Sequence, residues 1–282
     1  MKHGSFKDTV KYGRYAASAI AVSLLLSAGS ANAGALFVTG HDSDEHNNGA
    51  YMAAGLDFLM FGTASTAPAR AGKSIAYIGT DQGSTPSSLS GTGYSSVTYI
   101  DADSSAAVSG ALGGSFDAIM IGSGAGNPTQ RANLVANTAA FTTYFNNDGA
   151  LFIHTDEGFG QAWYDFVPNF GTTANNTIST SGAFDPTVEG LAIGLTNAIV
   201  DADITHSFYT GVDETLFTVF ERQDPALFGG STNPVAFGAS DLVIGGGGEF
   251  ESVSEPGSLA LVGIGIAGIA GIAAIRRRRR VS

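Results

Sequence analysis

The chain has 282 residues, 44% of them hydrophobic, with 39 glycines, no cysteine and a formal net charge of −12. The absence of cysteine rules out a disulfide framework and a thiol nucleophile. With 25 acidic residues against 13 basic ones, the chain's own field repels nucleic acid and other polyanions, which excludes nucleic acid as a partner.

The N-terminal stretch carries Lys2, Lys7, Lys11 and Arg14, then the apolar run Ala16 to Leu26, then Ala31-Asn32-Ala33. A basic start, a short apolar run and a small-x-small site make residues 1–33 a secretory signal peptide, cut by signal peptidase after Ala33. Between residues 34 and 255 only Arg70, Lys73, Arg131 and Arg222 are basic, against 24 acidic residues, so the exported part carries a formal charge of −20. Its length, about 220 residues, suits one well-cored domain and is small for two.

Within that domain, residues 34–244, the pattern alternates between short apolar runs and helical spacing. Ala35 to Thr39 reads as a buried strand, Gly40 to Asn48 as a polar loop and Ala50 to Phe61 as a helix. Strands follow at Ser74 to Gly79, Val97 to Ile100, Phe116 to Ile121 and Ala150 to His154. Between them lie a Ser/Gly/Thr loop at Asp81 to Gly93, a helix at Ser105 to Leu112 and a long helix at Thr129 to Asn146. Beyond Gly160 the pattern loosens into an irregular excursion, with strands at Leu216 to Phe220 and Val235 to Phe237 and an edge at Leu242 to Ile244. Strands separated by helices imply an α/β fold of three layers, with a mostly parallel sheet and helices on both faces.

Three segments carry a likeness beyond pattern: Ala35-Leu-Phe-Val-Thr-Gly-His-Asp42, the strand Phe116 to Ile121, and Gly149-Ala-Leu-Phe-Ile-His-Thr155. In their order they resemble class I glutamine-amidotransferase-like domains, in particular the ThuA-like branch. That resemblance implies a flavodoxin-like fold. It does not carry a catalytic residue across, because the turn that bears a cysteine in the amidotransferases reads His154-Thr155-Asp156-Glu157-Gly158 here.

After the domain, residues 245–258 read as a Gly-rich acidic linker that ends in Val253-Ser254-Glu255-Pro256. Residues 259–275 are uncharged and apolar, a run that as a helix would extend about 25 Å and could span a thin bilayer. Arg276, Arg277, Arg278, Arg279 and Arg280 follow, a block that lipid refuses, so residues 276–282 are expected to stay cytoplasmic while the domain lies outside. This tail resembles the PEP-CTERM sorting signal, in which a Pro-Glu-Pro motif precedes an apolar helix and an Arg cluster, with Ser254 standing here for the first Pro. The resemblance implies processing by an exosortase, a membrane cysteine transpeptidase.

In an open α/β sheet, ligands bind beyond the carboxyl ends of the strands, and four loops are expected to meet there: Gly40 to Asn48, Thr80 to Ser90, Gly122 to Pro128 and Thr155 to Gly160. The first holds His41, Asp42, Asp44, Glu45 and His46, of which His41, Asp42, Asp44 and His46 form a candidate divalent-metal set. Their alternative is an ordinary capped loop. His154, Asp156 and Glu157 would line the same edge, His154 as a ligand, a general base or a hydrogen-bonded core residue. Gly122-Ser-Gly-Ala-Gly126 is not the G-x-S-x-G elbow of a serine hydrolase. Taken together, the sequence points to a non-catalytic exported protein, membrane-anchored before processing and then placed at the cell surface or outside it with extracellular polysaccharide. Its expected partners are signal peptidase, exosortase and the lipid bilayer. The alternatives are an exported metal-dependent hydrolase and a calcium- or glycan-binding module.

Overall fold

The computed structural model describes residues 33–79, 84–123, 127–155, 173–176, 183–202, 207–245 and 250–252. Strand β1 (Gly34–Thr39) leads to helix α1 (Gly49–Phe61), a short helix α2 (Ala67–Arg70), β2 (Ser74–Gly79), α3 (Ser84–Ser90) and β3 (Ser96–Asp101). Next come α4 (Ser105–Leu112), β4 (Ala118–Ile121), α5 (Pro128–Ala136), α6 (Thr138–Phe145) and β5 (Ala150–His154). The remainder comprises β6 (Thr173–Asn176), β7 (Phe184–Pro186), α7 (Val188–Ala192), α8 (Asn197–Val200), β8 (Ser207–Thr210), β9 (Thr218–Gln223), β10 (Pro234–Ile244) and β11 (Phe250–Ser252).

The main sheet has nine strands in the order β3-β2-β4-β5-β1-β10-β9-β7, with β11 added to β10, while β6 and β8 form a separate pair. The first five strands of that order are parallel. From β1 onward the pairing is antiparallel, so the sheet is mixed rather than mostly parallel. The reason is connectivity. Strand β9 (ending at Gln223) runs into β10 (starting at Pro234) through the loop of residues 224–233, shorter than the crossover of about a dozen or more residues that a parallel pairing needs. The strand order also departs from the flavodoxin order 2-1-3-4-5. Strands β2 to β5 occupy the places of its first four strands, but β1 stands at the far end, between β5 and β10.

Alternation along the parallel strands divides the core between two faces. Leu36, Val38, Ala76, Ile78, Ile119, Ile121, Leu151 and Ile153 pack with Val108 of α4, Leu134 of α5 and Phe141 and Phe145 of α6. Their neighbours Phe37, Ile75, Tyr77, Met120 and Phe152 pack on the other face with Tyr51, Met52 and Leu56 of α1, Leu89 of α3 and Val200 of α8. Each fully buried Val, Leu, Ile, Phe or Met among them contributes about 1.5–3 kcal/mol. Helices therefore cover both faces, and α1 is buried on nearly every side.

Two expectations about helices change. The single helix at Thr129 to Asn146 is two, because Asn137 turns its amide inward to Ser105 and to the Asn133 carbonyl, which it meets at 2.8 Å. An Asn side chain that competes for backbone partners in this way ends one helix and starts the next. The expected loop at Asp81 to Gly93 contains α3. At the end of the domain, the stretch read as a linker includes β11, whose Phe250, Glu251 and Ser252 pair with Ile244, Val243 and Leu242 of β10.

A buried ion pair fastens α1. Asp57 is fully buried and takes a bidentate bond from Arg70, at 3.0 Å from Nε and 2.7 Å from Nη2, with the Tyr94 hydroxyl at 2.7 Å. The Arg70 guanidinium also stacks over the Tyr94 ring. Its pKa is raised, chiefly by the hydrogen bond to Asp57, and burial followed by the Asp57 carboxylate pushes the Tyr94 hydroxyl far up. Arg70→Ala leaves Asp57 buried without its cation and is expected to cost about 3 kcal/mol, read as a fall in urea midpoint with an unchanged slope.

At the amino edge of the sheet, Asp117 accepts from Lys73 Nζ at 2.8 Å and from the Ser74 backbone N–H at 2.8 Å, which joins the entries of β2 and β4. Burial raises the Asp117 pKa, but the hydrogen bonds from Lys73 and Ser74 outweigh it and hold the group below the ordinary aspartate value. A lowered native pKa adds stability above the unfolded value, near 4, and loses it as pH falls through the native one. Asp117→Asn should thus lower stability near neutrality, and the gap between the two proteins should close below about pH 4 in thermal melts.

Candidate functional site

The loop that leaves β1 turns back into the protein instead of standing out in water. Gly40 makes this possible: a Cβ there would lie 1.8 Å from the Ser207 carbonyl oxygen. His41, Asp42, Ser43 and Asp44 are buried, whereas Glu45, His46 and Asn47 are exposed. The loop ends at Asn48, whose side chain caps α1 by accepting from the Tyr51 N–H at 3.1 Å.

Each buried side chain of the loop has a different destination. His41 Nε2 lies 2.7 Å from Glu221 Oε1 on β9, with neither side chain exposed. A carboxylate only accepts, so Nε2 carries the proton. The Tyr51 hydroxyl donates to Glu221 Oε2 at 2.8 Å and also meets Thr39 Oγ1 at 2.8 Å. The His41 ring packs against the rings of Tyr51 and Phe184. Close by, burial and then the negative charges of Asp185 and Glu221 raise the pKa of Asp201.

Asp44 points the other way, toward β4. Its Oδ2 accepts from the Tyr77 hydroxyl and the Ser123 backbone N–H, each at 2.9 Å, and its Oδ1 accepts from Ser123 Oγ at 2.8 Å. Gly122 is required beside it, because a Cβ there would come within 2.7 Å of Asp44 Oδ2 and 2.4 Å of the Tyr77 hydroxyl. The Asp44 carbonyl accepts from Thr85 Oγ1 of α3 at 3.1 Å. Ser43 Oγ lies 2.8 Å from His154 Nε2 at the end of β5, and His154 Nδ1 lies 3.1 Å from the Ile121 carbonyl. Thr155 donates to the Thr39 carbonyl at 3.1 Å and meets the Tyr209 hydroxyl at 2.6 Å.

The described parts of the four expected loops thus meet at the carboxyl edge. The four residues of the candidate metal set do not share one point, however. His41 goes to Glu221, Asp44 to Ser123 and Tyr77, and His46, about one-third exposed, lies 3.5 Å from Asp42. Among the described residues no group of three or more His, Asp or Glu side chains is placed to hold a metal ion. His154 joins the cluster through Ser43, with its ring nitrogen 3.9 Å from Asp44 Oδ1, while Asp156 and Glu157 lie outside the described residues. Ser43, Tyr51, Tyr77, Ser123 and Glu221 are members that sequence reasoning missed. Apart from the Tyr51–Thr39 contact across 12 positions, the bonds named for them cross 33 to 180 positions, and no local pattern marks them.

The C-terminal tail is where comparison with known proteins is informative. Residues 252–280 match the PEP-CTERM protein-sorting motif. This chain carries that sorting signal. The match takes in Val253, Ser254, Glu255 and Pro256, the apolar run and Arg276 to Arg280, and it marks an exosortase-processed protein exported to the cell envelope. No curated protein and no solved structure matches the chain. The PEP-CTERM match begins on Ser252, the last residue of β11. Residues 253–282, with the expected membrane span, lie outside the described residues, as does Ala31 of the signal-cleavage site. Among the described residues no helix is long and apolar enough to cross a membrane. Ala33 donates its backbone N–H to Asp148 and directly precedes β1.

The His41–Glu221–Tyr51 group should be costly to open. Tyr51→Phe takes one donor from a buried carboxylate and one partner from Thr39, and is expected to lower stability by about 1–3 kcal/mol in urea unfolding. An unchanged midpoint would mean that water replaces the hydroxyl at no cost.

Proposed function

We propose that this protein is an exported envelope protein: made with a cleaved signal peptide, held in the membrane by residues 259–275, cut by an exosortase at its Glu255–Pro256 motif, and then displayed on the cell or released into its polysaccharide matrix. The observation that carries this reading is the PEP-CTERM motif over residues 252–280. Three sequence features support the finer parts: the small-x-small site at Ala31 to Ala33, the uncharged run before the arginines, and the five consecutive arginines themselves. A polyanionic domain suits an address outside the cytoplasm, where it stays soluble and avoids anionic polymers by repulsion.

The test is fractionation with intact-mass measurement in a host that has an exosortase. The full chain should yield a surface or released form lacking residues 1–33 and truncated near the motif. Deletion of residues 255–282 should send the domain to the soluble exported fraction. Retention of the truncated chain in membranes would count against the anchor. A surface form that still contains Arg276 to Arg280 would count against processing.

A further inference from the structure

Both ends of the described domain reach the same edge of the sheet. Gly34, at the start of β1, pairs with Leu242 of β10, and Leu242 pairs in turn with Ser252, at the end of β11. A residue inside a sheet takes a different neighbour on each side, so Gly34 and Ser252 stand two strand spacings apart, about 10 Å. This is the amino edge of the parallel strands. In the sequence, residues 253–258 separate Ser252 from the uncharged run that starts at Leu259, a reach of at most about 25 Å.

Topology brings helix α7 to that edge as well. From β1 through β10 and β9 to β7 every pairing is antiparallel, so β7 runs against β1 and delivers α7 where β1 begins. There the Ala64 N–H and the Thr63 hydroxyl both donate to the Ala192 carbonyl, each at 3.2 Å. Thr63 and Ala64 belong to the connection that follows α1, residues 62–69, which has no charged side chain. On α7, Val188 and Leu191 are three positions apart and so share one side of the helix. They are 77% and 54% exposed, and Val188 is the most exposed large apolar side chain among the described residues. Apart from Glu189, residues 62–69 and 188–192 are uncharged. Exposed apolar surface of this kind marks a contact with a protein or a membrane.

We propose that the amino edge, with Val188 and Leu191 of α7, is the surface that the domain turns to the bilayer while its tail is uncut. The proposal rests on the reading of residues 259–275 as the membrane anchor. What selects lipid as the occupant is the short connection of residues 253–258, which leaves the domain at this edge and keeps it near the headgroups. Charge acts in the same direction. The formal charge of −20 between residues 34 and 255 repels anionic headgroups, and an uncharged patch is the part of such a domain that can approach them. The carboxyl edge, with the loop from Gly40 to Asn48, then faces outward. A cut at the motif removes the tether, and the orientation is lost with it.

The chain has no cysteine, so a single introduced thiol reports its own position. The test places an environment-sensitive fluorophore on Val188→Cys, on Leu191→Cys and, as control, on Leu227→Cys. Leu227 is 61% exposed and follows β9, which runs parallel to β1, so it lies at the opposite edge. The full chain, its tail kept intact in a host without an exosortase, is reconstituted in phosphatidylcholine vesicles that contain a headgroup-spin-labelled lipid. Emission at positions 188 and 191 should be quenched several-fold more than at 227, and deletion of residues 255–282 should abolish that difference. All three sites are on the surface, and either α7 variant suffices should the other fail to fold. Equal quenching at both edges, or stronger quenching at 227, in a chain that floats with the vesicles overturns the proposal and leaves the anchor standing. A chain that does not float with the vesicles overturns the anchor, and the proposal with it.

Discussion

Carboxylates buried in a domain that has almost no cations are the constraint on which the rest of this structure depends. Asp44, Asp57 and Glu221 are completely removed from water, yet only four basic residues lie between residues 34 and 255. A buried charge without partners is prohibitively costly. Arg70 serves Asp57. The other two are met by hydroxyls, a backbone N–H and a histidine, through Ser123 and Tyr77 for Asp44 and through His41 and Tyr51 for Glu221. The polar network is thus how an acidic chain closes its core.

That network also joins the two halves of the sheet. Strand β1 is the seam, parallel to β5 on one side and antiparallel to β10 on the other. The loop beyond it sends His41 toward the antiparallel half and Ser43 and Asp44 toward the parallel half. One short polar segment therefore reaches β5, α3, β9 and the Ser123 turn after β4, each through a different group. The same economy sets up the Ser43–His154 pair, since the His154 tautomer follows from the carbonyl that closes β4.

Much of the parallel half was legible because its signals are local. Apolar runs of four to six residues such as Ala-Leu-Phe-Ile-His at β5 reveal a strand wherever they lie, and the tail announces itself by motif, apolar run and arginine block in fixed order. The antiparallel half was harder to read: β7 and β11 span three residues each, and the pairing that makes them strands comes from β9 and β10. The split of the long helix was hidden for a similar reason. Asn137 breaks it by reaching Ser105, 32 positions earlier, and periodicity does not register such a partner.

The sequence by itself determined the address of this protein, its acidity, and the layered α/β character of its domain. These depend on composition and on neighbours in the chain, which any folded form must respect. Only the tertiary structure decided that β1 stands at the end of the parallel set, that the Gly-rich stretch includes a strand, and that the histidines of the first loop part company. It also decided that Ser43 meets His154 across 111 positions. Such outcomes follow from which distant groups can satisfy a buried donor or acceptor, and that is settled by packing in three dimensions.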